Sequence, residues 1–409
     1  MEFVELTVEE FRSFALNHPN ASFLQTPEMA QIRCNLGWEK HFLGVKRDDK
    51  ILAGAMIVSK KSHFGKYEFY SPHGLLVDYL DYSLLSFFTK NLKKYLKKHN
   101  AYILRIDPYY PLIERDINGD IVKDGYDNTK AIDNLLKLGY KKSKTLMQLF
   151  NFSFVLDLDI DADTLWKKMR TFTKRNITKA KKNGIVIKDV TYEDLPLLKN
   201  VIDSTSNRKN FNNRTLSYYQ DLYKQFMERG EIKFLLGELH LKDYIERIKK
   251  EISELEEHLL TLEKQNAKDE KKDKCKADIL KNKTLLEEAK GLREKEGEIL
   301  ILSGGVFLLY GTEVLYLFGG NYEEYMKFGA SYLMQWEMIN YGIDNGYKRY
   351  NFYGISSNFD KNDKDYGVYE FKKGFTGYVE QTIGDYILPV GPIYYVVSLL
   401  KKVKNIIKR

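Results

Sequence analysis

The longest pattern in the chain is an apolar stripe. From Leu241 toward Glu296, apolar residues fall at Leu241, Ile245, Ile248, Ile252, Leu255, Leu259 and Leu262, in alternating steps of four and three. That spacing lays one narrow seam along a helix, as in a coiled coil. The lysine- and aspartate-rich segment Lys264–Lys274 interrupts it, and a weaker seam returns through Cys275, Ile279, Leu286 and Ala289. Neither limb can cover its own seam, so the two are expected to fold back as an antiparallel hairpin. At ~1.5 Å per residue the first limb reaches ~30 Å. A single charged surface helix would leave the stripe bare.

Period-two and short apolar runs flank this arm. Phe234–Leu239 precedes it and Ile299–Phe307 follows it, so the arm reads as an insertion at the tip of a β-hairpin. An uninterrupted counterpart stands near the N-terminus, Phe42–Val45 and Ile51–Val58 around the turn Lys46–Lys50. The order then repeats: strand Tyr67–Tyr70 matches Val314–Phe318, helix Ser83–Lys98 matches Ser331–Asn345, and strand Tyr102–Ile106 matches Tyr347–Phe352. This predicts an internal duplication, an α/β (α+β) fold of two similar units with the arm grafted into the second. The expected boundaries are 1–150 for the first unit, 151–239 with 298–409 for the second, and 240–297 for the arm. Segment 364–409 is free to pack back on the first unit.

Between these landmarks the chain predicts helix Val8–Leu16, then Phe23-Leu24-Gln25-Thr26 running into a helix capped by Thr26 with Pro27 in its first turn. Asn128–Leu138 reads as a helix and Leu149–Leu156 as a strand. A helix over Trp166–Lys182 would place Trp166, Met169, Thr173, Ile177 and Ala180 on one face and Lys167, Arg170, Lys174 and Lys181 on another. Leu195–Thr205 reads as a helix, Asn207–Arg214 as a polar loop, and Leu216–Met227 as a further helix. The C-terminal stretch Tyr394–Arg409 carries Val396, Leu399, Leu400, Val403 and Ile407 among lysines. It is a basic amphipathic helix that can lie on anionic lipid or dock on the core, the commoner outcome.

At 409 residues, with 43% hydrophobic and 14% aromatic residues, the chain can bury the cores of two domains and is not disordered. Cys34 and Cys275 have no partner spacing, which points to a reducing compartment. No stretch resembles a signal peptide or spans the ~20 apolar residues needed to cross a bilayer, so a cytoplasmic location is expected. The net charge of +8 is unevenly spread, because Thr164–Lys188 holds nine lysines and arginines and no acid. Such a stretch suits phosphates of tRNA, lipid pyrophosphate or an anionic membrane. A helix face merely solvated by lysines is the plainer alternative.

Chemistry-bearing motifs are sparse. There is no P-loop, no dinucleotide glycine fingerprint and no histidine–cysteine cluster spaced for zinc, and no histidine pairs with a serine elbow. No cofactor or metal is called for. What remains are polar groups at strand ends. Asp107 closes the apolar run Tyr102–Ile106 just before Pro108, a place where open α/β sheets carry chemistry. The same carboxylate can instead cap a turn. Arg214 and Tyr218 are four residues apart and share a face if their helix starts early enough. Gly319-Gly320-Asn321 can admit an anion to backbone amides or form a plain turn. This inventory suits a transfer whose substrates bring their own reactive groups and are positioned by the protein.

Taken together, Phe23-Leu24-Gln25-Thr26, Leu104-Arg105-Ile106-Asp107-Pro108, Lys174-Arg175-Asn176, Gln335-Trp336-Glu337-Met338-Ile339 and Phe371-Lys372-Lys373-Gly374 resemble the Fem aminoacyltransferases. The helical arm is also a feature of that family. The resemblance spans nearly the whole chain. It implies two domains similar to the acetyltransferase (GNAT) fold, and transfer of an amino acid from aminoacyl-tRNA to the stem-peptide branch of lipid II. The implied location is the cytoplasmic face of the cell membrane, with a second copy or a related Fem-type protein as a possible partner.

Carried over by motif, Arg33, Arg214 and Tyr218 correspond to precursor-binding positions. Asp107 corresponds to the family's strand-end aspartate, and Phe371 with Lys372 to a pair near the tRNA end, the lysine stabilising charge in the transition state. Phe318 departs from relatives with tyrosine in that strand, which moves any hydroxyl role to Tyr316. For the tRNA backbone the candidates are Lys167, Arg170, Lys174, Arg175 and Lys181. The arm's role stays open between tRNA contact, dimer contact and bracing. Two other readings compete. An acetyl-CoA-dependent N-acyltransferase would need closely spaced glycines at a helix start, where Lys327-Phe328-Gly329-Ala330 offers one. A non-enzymatic RNA- or membrane-binding adaptor would leave Asp107 and Lys372 without a role.

Overall fold

A computed structural model of the chain describes residues 1–147 and 150–407, with side chains through residue 400. Leu149 and the last two residues, Lys408 and Arg409, therefore lie outside the described residues, as do the side chains of the preceding tail lysines.

Among the described residues the strands form two sheets, of seven and eight strands. In the first, Glu2–Glu5, Glu39–Arg47, Lys50–Lys61 and Tyr67–Ser71 pair antiparallel in that order, and Tyr67–Ser71 then pairs parallel with Ala101–Ile106. The second repeats this order with Ile185–Asp189, Ile232–His240, Ile299–Tyr310 and Glu313–Asn321, the last parallel to Arg349–Gly354. The crossover helices are Tyr82–Lys98 and Ala330–Asp344. Two lobes of one topology are thus present, as the repeated pattern implies.

Each lobe borrows a strand from the far side of the chain. Pro111–Glu114 follows the first sheet in sequence but pairs with Tyr378–Thr382 in the second. Tyr386–Pro389, near the C-terminus, pairs with Ala101–Ile106 in the first. These exchanges bring the end of Ala101–Ile106, where Asp107 sits, against the second lobe.

The arm comprises helices Leu241–Lys264 and Asp269–Glu296, packed antiparallel on a strand pair that closes at His240↔Ile299. Leu241, Ile245, Ile248, Ile252 and Leu262 are buried along the seam, opposite Cys275, Ile279 and Ala289. The break is shorter than the charged segment, because the second helix starts at Asp269, where Lys271 and Lys274 face solvent and Lys272 pairs with Asp269 at 3.2 Å.

Other differences have local causes. Leu195–Lys209 is one helix ending on left-handed Asn210, so Asn207–Lys209 is not loop. The basic helix is two, Ala162–Lys168 and Thr171–Lys182, with the chain extended at Met169 and Arg170. The expected apolar face survives the break, since Met169, Thr173, Ile177 and Ala180 are buried and Trp166 packs on Trp336 at 5.2 Å. Gly319 and Gly320 lie inside a strand and form neither a turn nor an anion nest. A Cβ on Gly320 would sit 2.5 Å from the Val201 carbonyl oxygen, so glycine there lets a helix backbone lie on the sheet. The tail helix Ile393–Ile407 does dock on the core, but through Ile393, Tyr394 and Val397 against Tyr102 and Ile103. Val396, Leu399 and Leu400, expected inside, are exposed.

Candidate active site at the junction of the lobes

Asp107 ends its strand at 5% exposure and accepts two hydrogen bonds. Tyr70 donates its hydroxyl hydrogen to Oδ2 at 2.8 Å, and the His73 backbone N–H donates to Oδ1 at 2.9 Å. Both donors come from the parallel neighbour strand and the turn after it. Burial nonetheless raises the Asp107 carboxyl to about 8; the two bonds and Arg33 oppose that rise. His73 stacks flat on Tyr109 at 4.8 Å, with Nδ1 2.7 Å from Ser22 Oγ. Burial holds the His73 ring near 3, so it is neutral at working pH.

Around this carboxyl the structure gathers groups far apart in sequence. Arg33 lies over the Tyr70 ring at 5.1 Å, and its Nε is buried without a hydrogen-bond partner among the described residues. Arg214 precedes its helix, which starts at Leu216, yet still covers the Tyr218 ring at 5.2 Å. Arg33 acts electrostatically on Asp107, His73 and Tyr218, and Arg214 on Tyr218 and Tyr353. Arg33, Asp107, Arg214 and Tyr218 therefore share one neighbourhood. Tyr316 does not join them. It stacks on Phe307 at 5.0 Å on the other face of its sheet, whereas Phe318 meets Tyr218 and Tyr219.

Lys372 approaches from the second lobe. It sits in helix Tyr366–Lys373, is 5% exposed, and donates to the carbonyl oxygens of Gly354 at 2.6 Å and Tyr353 at 3.2 Å. With no acidic partner among the described residues, burial lowers its ammonium to about 7. Tyr353 has φ of 64°, a left-handed conformation costly for an aromatic residue, and Asn351 Oδ1 accepts its N–H at 2.7 Å. Lys372 thus holds a bend in the strand end, and Tyr353 and Gly354 line one pocket with His73, Asp107 and Tyr109. Beside the lysine, Phe371 meets Tyr332 edge-on at 4.8 Å.

A polar cluster ties the lobes together under this pocket. Arg349 makes ion pairs with Glu313 at 2.8 Å and Glu380 at 2.9 Å, and Tyr109 donates to Glu313 at 2.8 Å.

The FemAB family matches residues 6–402 of this sequence. The chain belongs to the FemAB family. It is 33% identical over 421 aligned residues to the aminoacyltransferase FemA of Staphylococcus aureus strain MRSA252, with 99% of each chain covered. Against the FemA of Staphylococcus epidermidis it is 34% identical, covering 99% of this chain and all of the relative. The crystal structure of FemX superposes with a TM-score of 0.79 at 25% identity, over 98% of this chain and 99% of that one. Like these FemAB relatives, the chain is an aminoacyltransferase.

Within this FemAB member, sequence reading missed Tyr70, His73, Tyr109, Tyr353 and the Arg349 cluster. Tyr70 and His73 were within reach, since aligning strands Tyr67–Ser71 and Ala101–Ile106 in parallel puts them beside Arg105 and Asp107. Of the basic candidates, Arg170 is committed to Glu370 at 2.6 Å, which fastens the basic helix to the helix of Lys372. Lys167, Lys174, Arg175 and Lys181 make no ion pair among the described residues. The start of helix Ala330–Asp344, where a pyrophosphate of acetyl-CoA would need room, is covered by the Asn176 carbonyl. That oxygen lies 2.8 Å from where a Gly329 Cβ would be.

Proposed function

We propose that the chain transfers an amino acid from aminoacyl-tRNA to an amino group on the stem-peptide branch of lipid II. The observation that carries this reading is the shared pocket, with Asp107 from one lobe and the Lys372-held Tyr353–Gly354 bend from the other. An amine attacks an ester readily once neutral, so the protein needs no nucleophile of its own. Asp107, with a proton affinity close to neutral pH, takes the proton the attacking amine releases. Lys372 in its charged form steadies the oxyanion and returns a proton to the departing ribose oxygen. Arg33 and Arg214 pair with phosphate or carboxylate of the precursor, a role suited to the guanidinium fork. Lys167, Lys174, Arg175 and Lys181 run along the donor's backbone.

The enzyme works at the inner face of the membrane. Among the described residues no helix is long and apolar enough to cross a bilayer. Tyr395, Val396, Leu399 and Leu400 instead leave an apolar face exposed just before a lysine-rich, acid-free terminus, which fits the surface of an anionic bilayer.

The test combines purified protein and lipid II with either charged tRNA or acetyl-CoA. Lipid II gaining the mass of one aminoacyl residue supports the reading, whereas gain of an acetyl group, or no product with either donor, refutes it.

A further inference from the structure

Phe172 is 66% exposed in the first turn of helix Thr171–Lys182, inside the stretch that contains no acid. A large apolar ring so exposed among cations gains little from burial. Arg175 and Lys179 lie three and seven residues further on, on the face that Phe172 occupies. Neither makes an ion pair among the described residues. The ring is also the outer member of a series. It meets Tyr332 edge-on at 6.0 Å and 82°, and Tyr332 meets Phe371 at 4.8 Å and 67°. The next residue after Phe371 is Lys372. The Arg170–Glu370 ion pair and the bond from the Arg170 N–H to the Gly374 carbonyl oxygen keep the two helices in register.

We infer that Phe172 is a stacking platform for an unpaired base near the 3′ end of the tRNA donor. In this arrangement Tyr332 and Phe371 continue the apolar path inward, and Arg175 with Lys179 hold the flanking phosphates. An aromatic face beside unpaired cations is the combination that binds single-stranded nucleic acid without regard to sequence. The inference rests on the aminoacyl-tRNA reading above and adds the surface that takes the donor's unpaired end.

The test measures binding of uncharged tRNA, complete or trimmed of its unpaired 3′ nucleotides, by the full chain and its Phe172→Ala and Phe172→Trp variants. Loss of stacking should weaken Phe172→Ala binding of complete tRNA by about 5- to 100-fold, with Phe172→Trp close to the parent. Trimmed tRNA should bind the parent and Phe172→Ala alike. The salt dependence of binding should stay unchanged in Phe172→Ala and become shallower in Arg175→Ala. Equal binding of complete tRNA by the parent and Phe172→Ala overturns the platform, as does a loss that appears only with anionic phospholipid vesicles. Failure of the parent to bind complete tRNA at all would instead remove the donor reading on which the platform rests.

Discussion

Tyr70 donates its hydroxyl hydrogen to Asp107 Oδ2 at 2.8 Å, across the parallel strand pair of the first lobe. The bond favours the charged carboxylate against burial, which has already raised Asp107 to about 8. Tyr70→Phe removes that support, so Asp107 should hold its proton to higher pH. Because Asp107 titrates above Lys372, Asp107 sets the alkaline break of kcat/KM against pH. That break should move upward by about one unit or less, while the maximum falls and the acidic break stays. A pH–rate series on parent and variant checks the direction.

The pairing of Asp107 with Lys372 makes a stronger statement about pH. In the proposed mechanism activity needs Asp107 ionised, a form lost as pH falls through about 8. It also needs Lys372 charged, a form lost as pH rises through about 7. The active form is thus a minor species at every pH, and the profile of kcat/KM should be a bell with its maximum between the two values. Lys372→Arg keeps a cation that does not titrate in this range, so its alkaline limb should vanish. A limb that stays in place in that variant would assign it to another group.

Arg349 neutralises Glu313 and Glu380 where the lobes meet. Arg349→Met leaves both carboxylates shielded from water without their partner. It should cost about 2–3 kcal/mol of stability, less than for a wholly buried pair because the arginine keeps some exposure. Urea denaturation read by circular dichroism measures it. The loss should shrink as pH falls, because burial raises the Glu313 carboxyl above the usual carboxylate range and its protonation removes the unpaired charge.

Gly320 offers a test of packing without chemistry. Its missing Cβ is the space taken by the helix backbone at Val201 and Ile202. Gly320→Ala should destabilise the chain by about 2 kcal/mol or more, since backbone cannot yield as a side chain does. Thermal unfolding of the two proteins decides it.

The sequence disclosed the elements better than their meeting. Seam residues such as Ile248 and Ile252 announced the arm because a step of three or four apolar positions has few other uses. The duplicated strand order was legible for the same reason. Strand exchange was not, because Pro111–Glu114 and Tyr386–Pro389 are four residues each and find partners far along the chain. The contact of Tyr109 with Glu313 spans 204 residues, and no local pattern encodes it. Lys372 was visible as a residue type within a familiar motif. Its burial against the Tyr353–Gly354 carbonyls, and so its lowered proton affinity, exists only in the folded chain. Tyr316 shows the opposite failure, since a bulge between Val306 and Phe307 alters which residues of the neighbouring strand share a face.

In the proposed mechanism one pocket between the lobes holds the amine against the ester, with Lys372 stabilising the adduct. Single-turnover transfer from charged tRNA to lipid II, measured by product mass for the parent and Lys372→Met with precursor affinity measured alongside, tests it most directly. The parent should add one aminoacyl residue, with the Lys372→Met rate lower by about 100-fold or more and precursor binding retained. Equal transfer rates for the two proteins would contradict it.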